Sequence, residues 1–229
     1  MKSPGAQYVG KNLTYGFDVT ADGFESHIGV NHIGHFYLTK LLTKKLKESA
    51  PSRVIAVSSG AEEGSYPGGI RPDLWRPENG IMNDDYEDGM AYGQSKLANL
   101  LFAREFASRM EGTGVSAYSC HPGIVVSELS RYMEDRFERD VSEMGMAEKV
   151  GVRAINAAIG TLFGMAQFST ADGALTQLQL ETAHASDLKN GGFYHPIGRV
   201  VESSHPDGND AQLQKTLWEE TEMAIKKAL

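Results

Sequence analysis

Between Phe24 and about Lys47 the apolar residues Ile28, Ile33, Phe36, Leu38, Leu41, Leu42 and Leu46 recur at helical spacing. Asp22 stands where an N-cap is expected, and Glu25 three residues on completes a box-like start. The pattern then changes. Pro51-Ser-Arg leads into Val54-Ile-Ala-Val57, an apolar run without alternation, as in a parallel strand covered on both faces. It ends in Ser58-Ser59-Gly60. Residues 60–90 carry Gly, Pro and Asp punctuation and predict a long irregular excursion, which in a compact domain is usually functional. From about Met90 to Met110 a wide apolar stripe of Leu97, Leu100, Leu101, Ala103, Phe106 and Ala107 predicts a strong helix, stopped by Gly112 and Gly114. Val115 to Cys120 reads as a second buried strand, closed by His121-Pro122-Gly123.

Farther on, residues 127–146 are charged and Met-bearing, the pattern of a helical flap, and residues 147–167 predict a buried helix. Leu175 to Leu180 reads as a last strand, and Asp210 to Lys227 as an amphipathic helix around Leu213, Leu217 and Trp218. Residues 1–20 read as loop. Strand and helix in alternation predict an α/β fold, a doubly wound parallel sheet in a single domain over residues 1–229.

Composition narrows the function. The chain of 229 residues is 41% apolar and 23% charged, long enough for one buried core and unlike a disordered chain. A net charge of −8 argues against nucleic acid or an anionic membrane surface as the main partner and says little about substrate, because a site is set locally. The single cysteine, Cys120, excludes an internal disulfide and fits a reducing, cytoplasmic compartment; its apolar setting reads as a buried structural thiol. The N-terminus has no apolar core of a secretory signal, and the longest uncharged stretch, Ala154 to Ala171, carries Asn156, Gln167, Ser169 and Thr170 and reads as a soluble helix rather than a membrane span. No metal is implied.

Tyr92 and Lys96 are four residues apart, hence on one face of a helix. An ammonium held beside a phenol favours the phenolate and lowers the pKa from its ordinary value of about 10, as an acid/base working on an alcohol or ketone requires. The plain alternative for such a pair is a solvated face with a half-buried tyrosine. Ser58-Ser59, taken alone, reads as a turn or cap pair. Yet a serine at the carboxyl end of a buried strand lies where sites form in α/β sheets, within reach of a carbonyl oxygen held by the tyrosine.

Four ordered stretches resemble a known family: Val54-Ile-Ala-Val-Ser-Ser59, Tyr92-Gly-Gln-Ser-Lys96-Leu-Ala-Asn99, Cys120-His-Pro-Gly-Ile-Val-Val-Ser127, and the earlier Val30-Asn-His-Ile-Gly-His-Phe36. Together they resemble the short-chain dehydrogenases/reductases, and the last of them, with the insertion before Tyr92 and the tail from Gly192 to Trp218, the retinol-dehydrogenase-like and WW-domain-oxidoreductase-like branch. The resemblance implies a Rossmann-like oxidoreductase that moves hydride between NADP(H) or NAD(H), the branch favouring NADP, and the alcohol or carbonyl of a small-molecule substrate, a lipophilic one such as a retinoid or steroid-like compound. It implies that Tyr92 transfers the proton, that Lys96 binds the nicotinamide ribose and tunes Tyr92, that Ser59 (with Ser58 the alternative) orients the substrate oxygen, and that Asn31 holds a proton-relaying water. Without the resemblance Asn31 reads equally as a polar residue kinking an apolar helix. Pro122, Gly123, Val125 and Ser127 are implied to line the carboxamide, Ser127 standing where threonine is usual. A homodimer is compatible with the family.

The chain also departs from the family in lacking its Gly-rich turn and its Asn-Asn-Ala-Gly element. No Gly-rich turn follows a strand: Gly5, Gly10, Gly16, Gly23 and Gly29 do not reproduce the spacing that cradles a pyrophosphate on a helix N-terminus. The expectation is an N-terminally truncated member lacking roughly 90 residues at ~30 per βα unit, whose Val54–Val57 strand becomes an open apolar edge. Three readings follow: a fragment of an active oxidoreductase, a truncated non-catalytic interaction module, and an epimerase or dehydratase that reuses the Tyr/Lys pair.

Overall fold

Glu25, not Asp22, starts the first helix. Its carboxylate accepts hydrogen bonds from the backbone N–H of His27 at 2.8 Å and Ile28 at 2.9 Å. Asp22 belongs to the preceding turn, where a bridge between Val19 and Glu25 and a positive φ at Gly23 reverse the chain, so the cap falls three residues later than the sequence suggests. The computed structural model describes residues 18–77, 84–125 and 167–229. The flap at 127–146 and nearly all of the helix at 147–167 lie outside these. Within them, α1 (Ser26–Ile28), a π-helical turn (Gly29–Ile33) and α2 (Gly34–Glu48) follow without a break. Ile28, Ile33 and Phe36 are buried, whereas Leu38, Leu41 and Leu42, expected on the same stripe, are exposed. The π turn carries one extra residue per turn and rotates the later stripe away from the core.

β1 (Ser52–Val57) runs parallel to β2 (Val115–Cys120) from Ser52 opposite Val115 to Val57 opposite Cys120. β2 pairs on its other side with β5 (Phe193–His195), also parallel, and β6 (Arg199–Val201) closes the sheet antiparallel, giving the order β1-β2-β5-β6. Among the described residues β1 is therefore an edge. A separate two-residue ladder joins β3 (Ile124–Val125) to β4 (Gln167–Phe168). These elements make a mostly parallel α/β sheet flanked by helices, as the alternation predicts.

α3 (Asp88–Arg109) is the central helix, with Leu97, Leu100, Leu101 and Phe106 fully buried. α5 (Ala211–Ala228), capped by Asp210, covers it: Trp218 stacks on Phe102 at 6.1 Å between ring centroids and meets Phe36 edge-on at 4.6 Å. The described residues of the excursion between β1 and α3 hold two 3-10 turns, Gly60–Gly64 and Pro72–Leu74, and bury Tyr66, Leu74, Trp75 and Tyr86. No helix among the described residues is long and apolar enough to cross a membrane.

The expected strand from Leu175 to Leu180 is instead part of a helix, α4 (Thr170–Thr182). Ser169 caps it by accepting from Asp172 N–H, and Gly173, Thr176 and Leu180 face inward at helical spacing, while Leu175 (52% exposed) and Leu178 (50%) point out. The Arg53 guanidinium, reaching from β1, donates to the carbonyls of Leu180, Glu181 and Ala183 and so satisfies the helix's free C-terminal acceptors. The strand sought there is supplied by Phe193–His195.

His32, in the π turn, is fully buried among Phe36, Trp75 and Phe102, with Nε2 3.0 Å from Thr221 Oγ1 of α5. Burial drives its pKa down to about 3. The unfolded chain takes up this proton near pH ~6.5 and the folded chain does not, so the stability tied to a neutral His32 is full above that pH and is lost as the pH falls toward 3. Urea unfolding at pH 7 and pH 5 tests this: His32→Gln should lose about 2 kcal/mol less than the wild type over that interval. An equal loss in the two proteins rules out His32 as the source.

Candidate active site

Five consecutive residues at the start of α3 each engage a different element. Tyr92 and Lys96 lie one turn apart on the same half-buried face, the Lys96 Nζ 5.5 Å from the Tyr92 ring centroid. The Ser59 side chain, just beyond the carboxyl end of β1, is close enough to the Tyr92 phenol to act on its pKa. Ser58 turns the other way: it is buried, and its Oγ donates to the Lys96 carbonyl at 2.7 Å. Of the two serines, then, Ser59 meets the phenol and Ser58 ties the strand end to the helix.

Between them, Gly93 permits the approach of the turn that carries Ser59. A Cβ at Gly93 would lie 2.8 Å from the Ala61 oxygen and 2.8 Å from the carbonyl carbon and oxygen of Gly64. Gln94 Oε1 accepts from the Arg71 backbone N–H and, at 3.3 Å, from Trp75 Nε1, fixing the Pro72–Leu74 turn. Ser95 Oγ donates to the Tyr92 carbonyl at 2.7 Å and accepts from Asn31 Nδ2 at 3.0 Å. Asn31 thus reaches α3 from the π turn, through Ser95.

The electrostatics differ from the sequence expectation. Burial raises the Tyr92 pKa above its ordinary value, with the hydrogen bond to Ser59 acting against it. Burial lowers that of Lys96, with Cys120 opposing. The lowering of the phenol that the Tyr-Lys spacing suggests is therefore outweighed here by desolvation. Cys120, fully buried at the end of β2, has its thiol pushed up to about 12, so it stays a protonated, structural thiol.

Beyond β2, Pro122, Gly123 and Val125 run past the same end of the sheet. Gly123 has φ +89°, and a Cβ there would stand 2.6 Å from Phe168 Cδ2. The Val125 side chain packs on α4 at Gly173. Ser127 lies outside the described residues. His121 packs beside Gly60 and lies 5.2 Å from His195, ring to ring; burial holds its pKa down at about 4, so it is neutral at neutral pH.

Sequence reasoning missed four side chains around Tyr92. His27 meets the Tyr92 ring edge-on, and Asp88, Tyr86 and Glu25 gather behind it. Their signal was the same spacing that marked Tyr92 and Lys96: His27 precedes Asn31 by four residues, and Asp88 precedes Tyr92 by four. Elsewhere, a groove of about 460 Å³ lined by Arg104, Lys189, Asn190, Glu202 and Asn209 excludes Tyr92, and its cations are already paired with Glu202.

A nicotinamide group is the cofactor the resemblance implies, and the residues present fit one end of it. Lys96 keeps a half-buried ammonium for which no hydrogen-bond acceptor or carboxylate is found among the described residues, beside a phenol and at the carboxyl ends of β1 and β2. That is a donor suited to ribose hydroxyls. Among the described residues no Gly-rich turn cradles a pyrophosphate.

Gly93→Ala should cost about 1–3 kcal/mol, because the methyl meets rigid backbone. It should also separate Ser59 from Tyr92 and so raise the phenol's pKa further, since that hydrogen bond is the one lowering it. Urea unfolding and the ultraviolet titration of the phenol check both, and an alanine variant equal to wild type in each would show that the close approach is unimportant.

No family model matches the chain. It is 53% identical over 116 residues to Retinol dehydrogenase 11 of Mus musculus, covering 51% of this chain and 34% of that protein. With Retinol dehydrogenase 14 of Homo sapiens it is 34% identical over 207 residues, covering 90% of this chain and 54% of the relative. Among solved structures, an uncharacterized protein from Mycobacterium paratuberculosis superposes with a TM-score of 0.55 at 27% identity, over 94% of this chain and 64% of that one. The chain spans between a third and about half of the length of these curated relatives. With Ser59, Tyr92 and Lys96 brought together on a mostly parallel sheet, the chain belongs to the short-chain dehydrogenase/reductase family, on its retinol-dehydrogenase-like side.

Proposed function

We propose that this chain carries the catalytic portion of an NAD(P)(H)-dependent oxidoreductase acting on the alcohol or carbonyl group of a lipophilic substrate. The observation that carries the reading is the Ser59 side chain beside the Tyr92 phenol, with Lys96 one helical turn on, at the carboxyl ends of β1 and β2. A bound nicotinamide supplies or accepts the hydride at the substrate carbon. Ser59 donates to the substrate oxygen and holds it beside the phenol. Tyr92, whose burial keeps its proton in place at neutral pH, delivers that proton to the oxygen in reduction and recovers it in oxidation. Lys96 holds the ribose hydroxyls and, as an ammonium, favours the phenolate when the proton leaves. Asn31, through Ser95, keeps the first turn of α3 in register.

Pro122, Gly123, Val125 and Ser127 are assigned to the carboxamide end, on the course of residues 122–125 past the end of β2. NADP(H) is the favoured cofactor on the resemblance to the branch, and a retinoid or similarly lipophilic carbonyl the favoured substrate, because relatives 53% and 34% identical are named retinol dehydrogenases. Among the described residues the pyrophosphate and adenosine ends have no cradle, and hydride transfer is assigned to a chain that also carries a Gly-rich turn.

Two measurements test the reading. The 229 residues alone should bind NADPH and NADH no tighter than millimolar by intrinsic fluorescence; a tight complex overturns the assignment of cofactor affinity to a Gly-rich turn. In a chain that carries such a turn, Tyr92→Phe should lower retinal reduction, followed by NADPH absorbance, by about 10³-fold with cofactor affinity nearly unchanged. Turnover close to wild type would remove Tyr92 from the reaction.

A further inference from the structure

Tyr92 has a second polar neighbour that neither the Tyr-Lys spacing nor the family resemblance assigns. The His27 imidazole meets its ring edge-on, 5.6 Å between centroids and 73° between planes. Its Nε2 lies 3.2 Å from Asp88 Oδ1, and Asp88 sits one turn before Tyr92 on the same helix. The pair is partly withdrawn from water, the side chains being 27% and 16% exposed. Behind it, the Tyr86 hydroxyl stands 3.3 Å from Glu25 Oε1 and 3.4 Å from Asp88 Oδ1. One phenolic proton serves two carboxylates there, and burial with both carboxylates pushes the Tyr86 pKa well above its ordinary value.

We infer that His27, anchored by Asp88, is a positioning residue for Tyr92: it fixes the orientation of the phenol ring and links the phenol to the charge state of an imidazole. The inference rests on the reading of Tyr92 as the proton-transferring group. The geometry gives both halves of it. The hydrogen bond between His27 and Asp88 ties α1 to the first turn of α3, so the imidazole edge is held against the ring whose oxygen must meet Ser59. Of the described residues, Asp88 and Tyr92 on α3 meet the His27 imidazole, while Tyr86 links Asp88 to Glu25, whose carboxylate holds the His27 backbone N–H. Asp85, nearby in sequence, is paired with Arg71. Among side chains the imidazole is the one whose ordinary range spans neutral pH, and here it lies in direct contact with the phenol ring.

A merely structural clamp would hold α1 to α3 without making Tyr92 sense pH in that range, and this separates the two roles. In the 229-residue chain labelled with carbon-13 at tyrosine Cζ, the Tyr92 resonance is identified by its loss in Tyr92→Phe. It should move in one step as pH crosses the imidazole range. His27→Phe, which keeps a ring, should abolish the step. Asp88→Asn should shift it to lower pH, because the imidazolium loses its facing anion. His121, held near 4, titrates well below and does not confuse the reading. A flat Tyr92 resonance while the His27 Cε1 proton titrates, a step that survives His27→Phe, or one unmoved by Asp88→Asn overturns the inference. Should His27→Phe not fold, the Asp88→Asn shift decides alone. None of these outcomes touches the loss of turnover expected in Tyr92→Phe, so failure of the positioning role and failure of the catalytic reading are separately visible.

Discussion

The backbone of the Gly60–Gly64 turn lies against α3 at Gly93 with no space for a methyl group, and the site depends on that contact. The turn begins one residue after Ser59, whose side chain also caps it by accepting from Ala61 N–H at 3.2 Å. On its far side, Glu62 is buried and accepts from Ser203 Oγ and from Ser204 N–H, and His205 reaches the Tyr66 carbonyl at 3.2 Å. A buried carboxylate is stable only when its acceptor sites are filled, and here the segment after β6 fills them. The position of Ser59 relative to Tyr92 is thus set by residues that follow it in sequence by more than a hundred positions.

Against this stands the π turn on the other side of α3. An extra residue in a helical turn costs regular hydrogen bonding and persists where something else is gained. Here it presents His32 to Thr221 and Trp75 on one side and Asn31 to Ser95 on the other, so that one irregular turn grips both α5 and the first turn of α3. Tyr92, Gly93, Gln94, Ser95 and Lys96 are held by Ser59, the Gly60–Gly64 turn, the Arg71–Trp75 backbone, Asn31 and Ser58 respectively. The motif is less a pair of reactive residues than a crossing point.

What was legible in the sequence follows from which interactions are local. Helical spacing found α3 and α5, and unbroken apolar runs found β1 and β2, because each repeats over many residues. The family resemblance brought Ser59, Tyr92 and Lys96 to one place, and the structure places them there. Leu175 to Leu180 misled, since Leu175, Leu178 and Leu180 set no clear period in so short a stretch, whose helix is decided by the Ser169 cap and by Arg53 from a strand 127 residues away from Leu180. Glu25 displaced Asp22 as the cap because a reversal at Gly23 shifted the helix start. β5 and β6, three residues each, are too short to show a period and exist through pairing with β2 and with each other. The acidity of Tyr92 was misjudged because spacing reveals its charged neighbour but not its burial.

That last point bears on how such a site works. Burial favours the neutral phenol at Tyr92 and the neutral amine at Lys96, so it opposes the phenolate–ammonium pair from both ends. The described interactions that act the other way are hydrogen bonding from Ser59 and the nearness of Cys120 to Lys96. Cys120 has its own thiol held near 12 and stays uncharged, which leaves hydroxyl groups as the means of stabilising charge on the phenol oxygen. A desolvated phenol in this setting holds its proton until a polar oxygen arrives between it and Ser59. On the proposed function, proton transfer is thereby tied to occupation of the site, because each hydrogen bond to the phenol oxygen gains strength in the low-dielectric pocket that otherwise suppresses ionisation.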